Sequence, residues 1–312
     1  MPAMVERRTI VFADERLAGI EHPAFEARGE KDGPHVALIG GIHGCEYSSM
    51  AAVTRFMNEL DASQLAGSIT AVPVVSMQSF EGRSPFVVPE DGKNLNRAFP
   101  GTYEGTYTDA LARAVFDELI APADALLDLH GGDLVEALEP FAIYDPGPAE
   151  EQARALAVAF GLPYVVREEP GELGGMTCSA AAAAGIPAVI AEAGGCGQLD
   201  EEAVAMLVRG VRNALRSLGM LPGEVERTDG QKLVGAFDWL RCRDVGFWES
   251  AVRAGDEVGE GQVLGRVKSL WGDVLEEIHA PRAGVVLFLT TSAAVADDGL
   301  LLGLGAELEP IG

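Results

Sequence analysis

The sequence predicts an α/β fold: an open, mostly parallel or mixed sheet with helices on both faces, followed by a small all-β, barrel-like C-terminal domain. Three observations lead there. Apolar runs of strand length alternate with helix-period stripes as far as about residue 218. Around Leu221-Pro222-Gly223 the pattern changes, and no long helical stripe follows. Residues 231–312 then show short apolar runs punctuated by glycine, such as Gly284-Val285-Val286-Leu287-Phe288. The expected domains are 1–222 and 223–312.

Residues 9–13 read as a first strand. Val36-Ala37-Leu38-Ile39 is the next, and it runs into Gly40-Gly41-Ile42-His43-Gly44-Cys45-Glu46. A helix over about 45–60 follows, with Met50, Val53, Met57 and Leu60 at helical spacing. Residues 69–75 form a strand placed near an edge, because Pro73 cannot donate to a ladder. The stretch 78–108 is rich in Gly, Pro, Asn and Ser and lacks periodicity, a long loop of the kind that often carries function. Next come a helix over about 107–120 and an apolar strand, 125–129, that ends at His130. A strand at 141–144, a helix at 149–160 and a short strand at 164–166 follow. An alanine-rich helix, about 176–184, stops at Gly185, and the buried strand 187–191 ends at Glu192. The helix at about 199–218 has the clearest stripe: Val204, Leu207, Val208, Val211, Leu215 and Leu218. His43, His130 and Glu192 thus all fall at the carboxyl ends of strands, where open α/β sheets bind ligands.

Composition narrows the function. The 312 residues carry a formal charge of −25, spread over both parts of the chain. Such a field disfavours nucleic acids and anionic membrane surfaces, and an acidic substrate would need local arginines. The four cysteines, Cys45, Cys178, Cys196 and Cys242, are scattered and read as buried thiols of a reducing compartment. Charges interrupt every apolar run of the first sixteen residues, so no signal-peptide core is seen. No stretch approaches the roughly 20 apolar residues of a membrane helix. A cytoplasmic location follows by default, and a homo-oligomer is compatible with the sequence.

Taken singly, the polar residues at the strand ends say little. A lone histidine there is more often a hydrogen-bonding residue than a ligand, and Asn96-Arg97 could merely brace a loop. Together they say more. Of five histidines in the chain, two occupy glycine-flanked corners, and two carboxylates, Glu46 and Glu192, accompany them. Imidazoles and a carboxylate are the donors of catalytic zinc sites, which keep one position open for water.

In order, Gly41-x-His43-x-x-Glu46, Asn94-Leu95-Asn96-Arg97-Ala98-Phe99-Pro100-Gly101, Leu127-Asp128-Leu129-His130-Gly131 and Ala191-Glu192-Ala193-Gly194 resemble the succinylglutamate desuccinylase/aspartoacylase family, within the zinc-carboxypeptidase group. The resemblance spans about residues 35–218, and residues 231–312 look like the small β-barrel that follows the family's catalytic domain. It implies a zinc-dependent hydrolase that cleaves the amide of an N-acyl amino acid or related small N-acyl amine. His43, Glu46 and His130 would ligate one zinc ion, and Glu192 would shuttle the proton between water and the departing amine. Asn96 and Arg97 would hold the substrate carboxylate, Arg97 through its bidentate fork. The family's oxyanion-stabilising arginine would be Arg83, the only arginine between Gln78 and Lys93. Asp128 would either orient a ligand or serve as a strand-end acceptor. Cys45 reads as packing. The glycine-rich segment Gly194-Gly195-Cys196-Gly197 departs from the best-studied aspartoacylases, so substrate identity does not transfer. Two rivals remain open: a metallocarboxypeptidase on short peptides, and a carrier or binding module. The second rests on a similarity of Gly255-Asp256-x-Val258 and Ile278-x-Ala280-Pro281 to biotinyl/lipoyl domains. Lys268 lies near the carrier position without the sequence context of either attachment site, so scaffold use is favoured.

Overall fold

The computed structural model describes residues 3–168 and 174–311. The first part of the chain comprises β1 (Met4–Ile10), β2 (His22–Arg28), β3 (Lys31–Gly40), α1 (Tyr47–Glu59), β4 (Ala66–Val72), α2 (Met77–Gly82) and α3 (Tyr107–Val115). It continues through β5 (Ala125–His130), β6 (Glu136–Leu138), β7 (Phe141–Tyr144), α4 (Glu150–Phe160), β8 (Tyr164–Arg167), α5 (Thr177–Ala183), β9 (Ala188–Glu192) and α6 (Glu201–Ser217). Strands alone follow: β10 (Lys232–Arg241), β11 (Gly246–Ser250), β12 (Glu257–Val258), β13 (Val263–Lys268), β14 (Val274–His279), β15 (Gly284–Thr290), β16 (Ala294–Val295) and β17 (Leu300–Pro310).

One mixed sheet of thirteen strands dominates, in the order β1-β2-β4-β3-β5-β9-β7-β8-β10-β17-β15-β12, with β6 paired to β15. Its centre is parallel: β3 pairs with β4 and β5, and β5 with β9. Alternation along these strands sorts side chains to two faces. Val36, Leu38, Leu127, Leu129 and Ala191 pack with α1, α4 and α6, while Ala37, Ile39, Leu126 and Ile190 pack with α3 and α5. Helices therefore cover both faces. Asp128, His130 and Glu192 share the pleat parity of Leu126 and Ile190, which puts them on the α3/α5 side.

Three expectations change, the first being that the opening strand, expected at residues 9–13, is β1 at Met4–Ile10. Strand β4 lies between β2 and β3, so it is not an edge strand; Pro73 follows its last residue and interrupts no ladder. The stretch 78–108 is not wholly irregular, since α2 enters it and a 3-10 turn spans Leu95–Arg97. Both pieces are too short to show a period in sequence. Beyond residue 222 the chain is all strand among the described residues, but these strands do not stand apart. Strand β10 pairs in parallel with β8 and antiparallel with β17, carrying the main sheet onward. A second sheet, β14-β13-β11-β16, encloses a separate core of Trp248, Leu264, Val267 and Ile278 against Val286, Leu301 and Leu302.

Candidate active site

The corner after β3 is a tight turn that only glycine permits. Gly41 has φ of 63°, and a Cβ there would lie 2.9 Å from Val74 Cα; at Gly44 it would fall 2.1 Å from the Ser79 carbonyl carbon. This close passage seats His43 in the turn and Glu46 at the residue before α1. His130 comes from the end of β5. The three donors converge, with ligand atoms all within 4.8 Å of one another.

Glu46 sits between the two imidazoles: His43 Nδ1 is 2.6 Å from its Oε1, and His130 Nδ1 is 3.0 Å from its Oε2. Both rings are oriented from behind. The Nε2 atom of His43 lies 3.0 Å from Asn94 Oδ1, and that of His130 lies 3.0 Å from Asp128 Oδ2. With Nε2–H donating to these acceptors, each Nδ1 lone pair faces the shared point, the arrangement that metal-binding histidines use. Asp128 is itself fully buried and accepts from Thr177 Oγ1. Burial works against charge on His43 and His130, yet Glu46 at His43, and Asp128 with Glu46 at His130, outweigh it and raise both pKa values. Burial alone would lift Glu46, but the two imidazoles hold it down at about 2. The cluster is a buried place for positive charge, and two imidazole nitrogens with a carboxylate fit a zinc ion.

Glu192 stands beside His130 in register on β9. Burial pushes its carboxyl up to about 8, and the two histidines pull it back only in part. Asn96 is buried and accepts the Thr177 N–H through Oδ1, which leaves its amide NH2 to donate. Arg97 lines the same cavity of about 140 Å³ together with His43, Glu46 and Glu192. Of the residues singled out in the sequence, His43, Glu46, Asn96, Arg97 and Glu192 are thus brought to one cavity, and His130 joins it through its contact with Glu46. Arg83 is not among the lining residues. It is exposed, with φ of 49°, at the end of α2. Cys45 is buried and stands outside the convergent donors.

The cavity contains residues that sequence reasoning did not assign. Asn94 bridges the site, taking the His43 contact and the Asn96 N–H on one oxygen. Glu136 enters from β6. Trp239, Phe288 and Leu300 form a wall contributed by β10, β15 and β17. No local signal marks these three, since their strands read as ordinary alternating β structure.

Known proteins resemble this chain over most of its length. The profile described as "Succinylglutamate desuccinylase/Aspartoacylase catalytic domain" matches residues 32–218. N-alpha-acetyl-L-2,4-diaminobutyric acid deacetylase of Halomonas elongata is 32% identical over 295 residues, covering 91% of this chain and 85% of that protein. The product-bound ectoine utilization protein EutE of Ruegeria pomeroyi superposes with a TM-score of 0.86 at 26% identity, covering 98% of this chain and 96% of the other. A succinylglutamate desuccinylase from a Silicibacter species gives 0.83 at 26%, with the same coverage. The four ordered motifs, the converging donors and these matches agree, and the chain belongs to the succinylglutamate desuccinylase/aspartoacylase family.

Proposed function

We propose that the chain is a zinc-dependent deacylase that hydrolyses the amide bond of a small N-acyl amino acid. The observation that carries the reading is the convergence of His43, Glu46 and His130 beside a carboxylate, Glu192, that is not one of them. Zinc held by the three would supply Lewis acidity, polarising the acyl oxygen and acidifying water. Glu192 takes the proton from the attacking water as the oxygen–carbon bond forms, and returns it to nitrogen as the C–N bond breaks. Burial raises the Glu192 carboxyl toward the range in which a group can both take and return that proton. Arg97 and the free amide of Asn96 bind the substrate's α-carboxylate. Arg83 takes no step in this scheme, because it lies outside the cavity lining.

The Halomonas relative is named for removing an acetyl group from an amino acid, which supports a small N-acyl substrate. The aromatic wall and the small cavity volume disfavour a peptide chain running through the site. Lys268 is ion-paired to Glu249 at 2.6 Å at the end of β13, which supports scaffold use of the C-terminal strands over a carrier.

The test is a panel of N-acyl amino acids presented to zinc-loaded protein, with released amine as the readout. Glu192→Gln should retain about one zinc per chain and lose about 10²–10⁴-fold in kcat. Full activity in that variant would rule out the proton-transfer role, and silence of the wild-type protein across the panel would rule out the deacylase reading.

A further inference from the structure

The deacylase reading accounts for four of the five ionisable side chains that line the cavity among the described residues. His43 and Glu46 belong to the metal site, Glu192 carries the proton and Arg97 holds a carboxylate. Glu136 is left over. Its placement is tightly constrained. A Cβ on Gly132 would fall 2.4 Å from the Glu136 carbonyl oxygen, and one on Gly195 would fall 2.3 Å from it. The same oxygen accepts the Cys196 N–H at 2.8 Å. The glycine-rich segment after Glu192, the part of the sequence that departs from the best-studied aspartoacylases, thus clamps Glu136 in position.

The side chain is anchored by one oxygen: Asp133 N–H donates to Oε2 at 2.9 Å, and no donor to Oε1 is found among the described residues. No ion pair to Glu136 is found among them either. Arg97, the one arginine among the described residues that line the cavity, feels the carboxylates of Glu192 and Glu136 there and that of Glu168 outside the lining. Glu136 is half-buried, and withdrawal of its carboxylate from water carries a cost that lifts the carboxyl to about 7. A cation arriving with the substrate would relieve that cost.

We infer that Glu136 selects the substrate side chain, pairing with a positively charged group, so that the preferred substrates are N-acyl derivatives of diamino acids. The inference rests on the deacylase reading and adds its selectivity. An N-acyl dicarboxylic amino acid needs two cationic partners in the cavity. It would find Arg97 for one carboxylate and the repelling Glu136 for the other. A diamino acid meets opposite charge at both ends.

The experiment compares kcat/KM of the zinc-loaded enzyme on Nα-acetyl-2,4-diaminobutyrate, on N-acetylnorvaline, its uncharged analogue of equal length, and on N-acetylaspartate. Wild-type protein should prefer the first over norvaline by about 100-fold, and Glu136→Gln should bring that ratio to within about 5-fold, mainly through KM. Glu136→Asp should keep part of the preference, which a purely structural role would not predict. Calorimetric binding of free 2,4-diaminobutyrate to wild-type and Glu136→Gln protein gives a readout without turnover, and the affinity should fall in the variant. Equal rates on the cationic and neutral substrates, a preference for N-acetylaspartate, or an unchanged ratio in Glu136→Gln would each overturn the inference while leaving the deacylase reading intact. Failure to cleave any of the three would overturn the inference, and silence of zinc-loaded wild-type protein on the wider N-acyl panel as well would overturn both.

Discussion

Asp128 is fully buried and Glu136 half-buried at the site, and the two carboxylates differ in what faces them. Asp128 accepts from His130 and Thr177, so its charge is compensated and its task is orientation. Replacing it by Asn leaves the shape but weakens the acceptor that fixes His130. Asp128→Asn should lower zinc affinity by about 10–100-fold, measured by competition with a chromophoric chelator. Unchanged affinity would reduce Asp128 to a strand-end acceptor. Glu136 accepts with its carboxylate only the Asp133 N–H among the described residues, and the consequence is a pH dependence of stability. Its carboxyl moves from an ordinary value of 4.5 to about 7 in the folded chain. Between those values the folded protein holds a proton that the unfolded chain has released, so stability falls as pH rises from about 4.5 through about 7. Removing the group removes that contribution. The melting temperature of Glu136→Gln, relative to wild type, should therefore climb across this window and level off above it. Parallel curves for the two proteins would contradict the burial argument.

At the scale of elements, the helices α4 and α6 meet at a glycine. A Cβ on Gly210 would lie 2.0 Å from the Phe160 ring, and Phe160 is itself buried against α6. Gly210→Ala should cost about 1–3 kcal/mol through overpacking, despite alanine's better helix propensity, and chemical denaturation would measure it. A gain in stability would show that the ring can move aside. The stripe of α6 was legible because its apolar residues recur at 3.6 spacing, and the strand ends at His130 and Glu192 because buried strands are continuous apolar runs that stop abruptly. The strand order was not legible. Whether β4 sits at an edge depends on β2 pairing with it, a tertiary choice that Pro73, lying past the strand, does not influence. Glu136 escaped notice for a similar reason. It opens a three-residue strand whose pairing partner, β15, is remote in sequence, so nothing in its local pattern separates it from a surface glutamate. Asn94 stood within a recognisable motif, but its contact with the His43 ring is a property of the folded loop.

Across the whole molecule, the candidate metal donors and the aromatic wall come from distant parts of the chain yet share one sheet. The ligands lie on the β3–α1 corner and on β5, while Trp239, Phe288 and Leu300 arrive on strands joined to that sheet through β8 and β10. The pairing of β6 with β15 ties the Glu136 strand to the C-terminal part as well. Such continuity predicts that the two parts unfold as one cooperative unit. The sequence supplies a natural pair of probes for this. All three tryptophans, Trp239, Trp248 and Trp271, lie beyond residue 222, and every helix among the described residues lies before it. Tryptophan fluorescence therefore follows the C-terminal strands, and far-ultraviolet circular dichroism at the helix band follows the part that holds His43, Glu46 and His130. Zinc at 100 times its dissociation constant stabilises the folded state by about 2.7 kcal/mol. In a single cooperative unit both signals should melt together, and zinc should raise both midpoints equally. A fluorescence transition that stays put while the helix signal moves would mean that the C-terminal strands unfold on their own, and that their wall on the cavity is docked rather than built in.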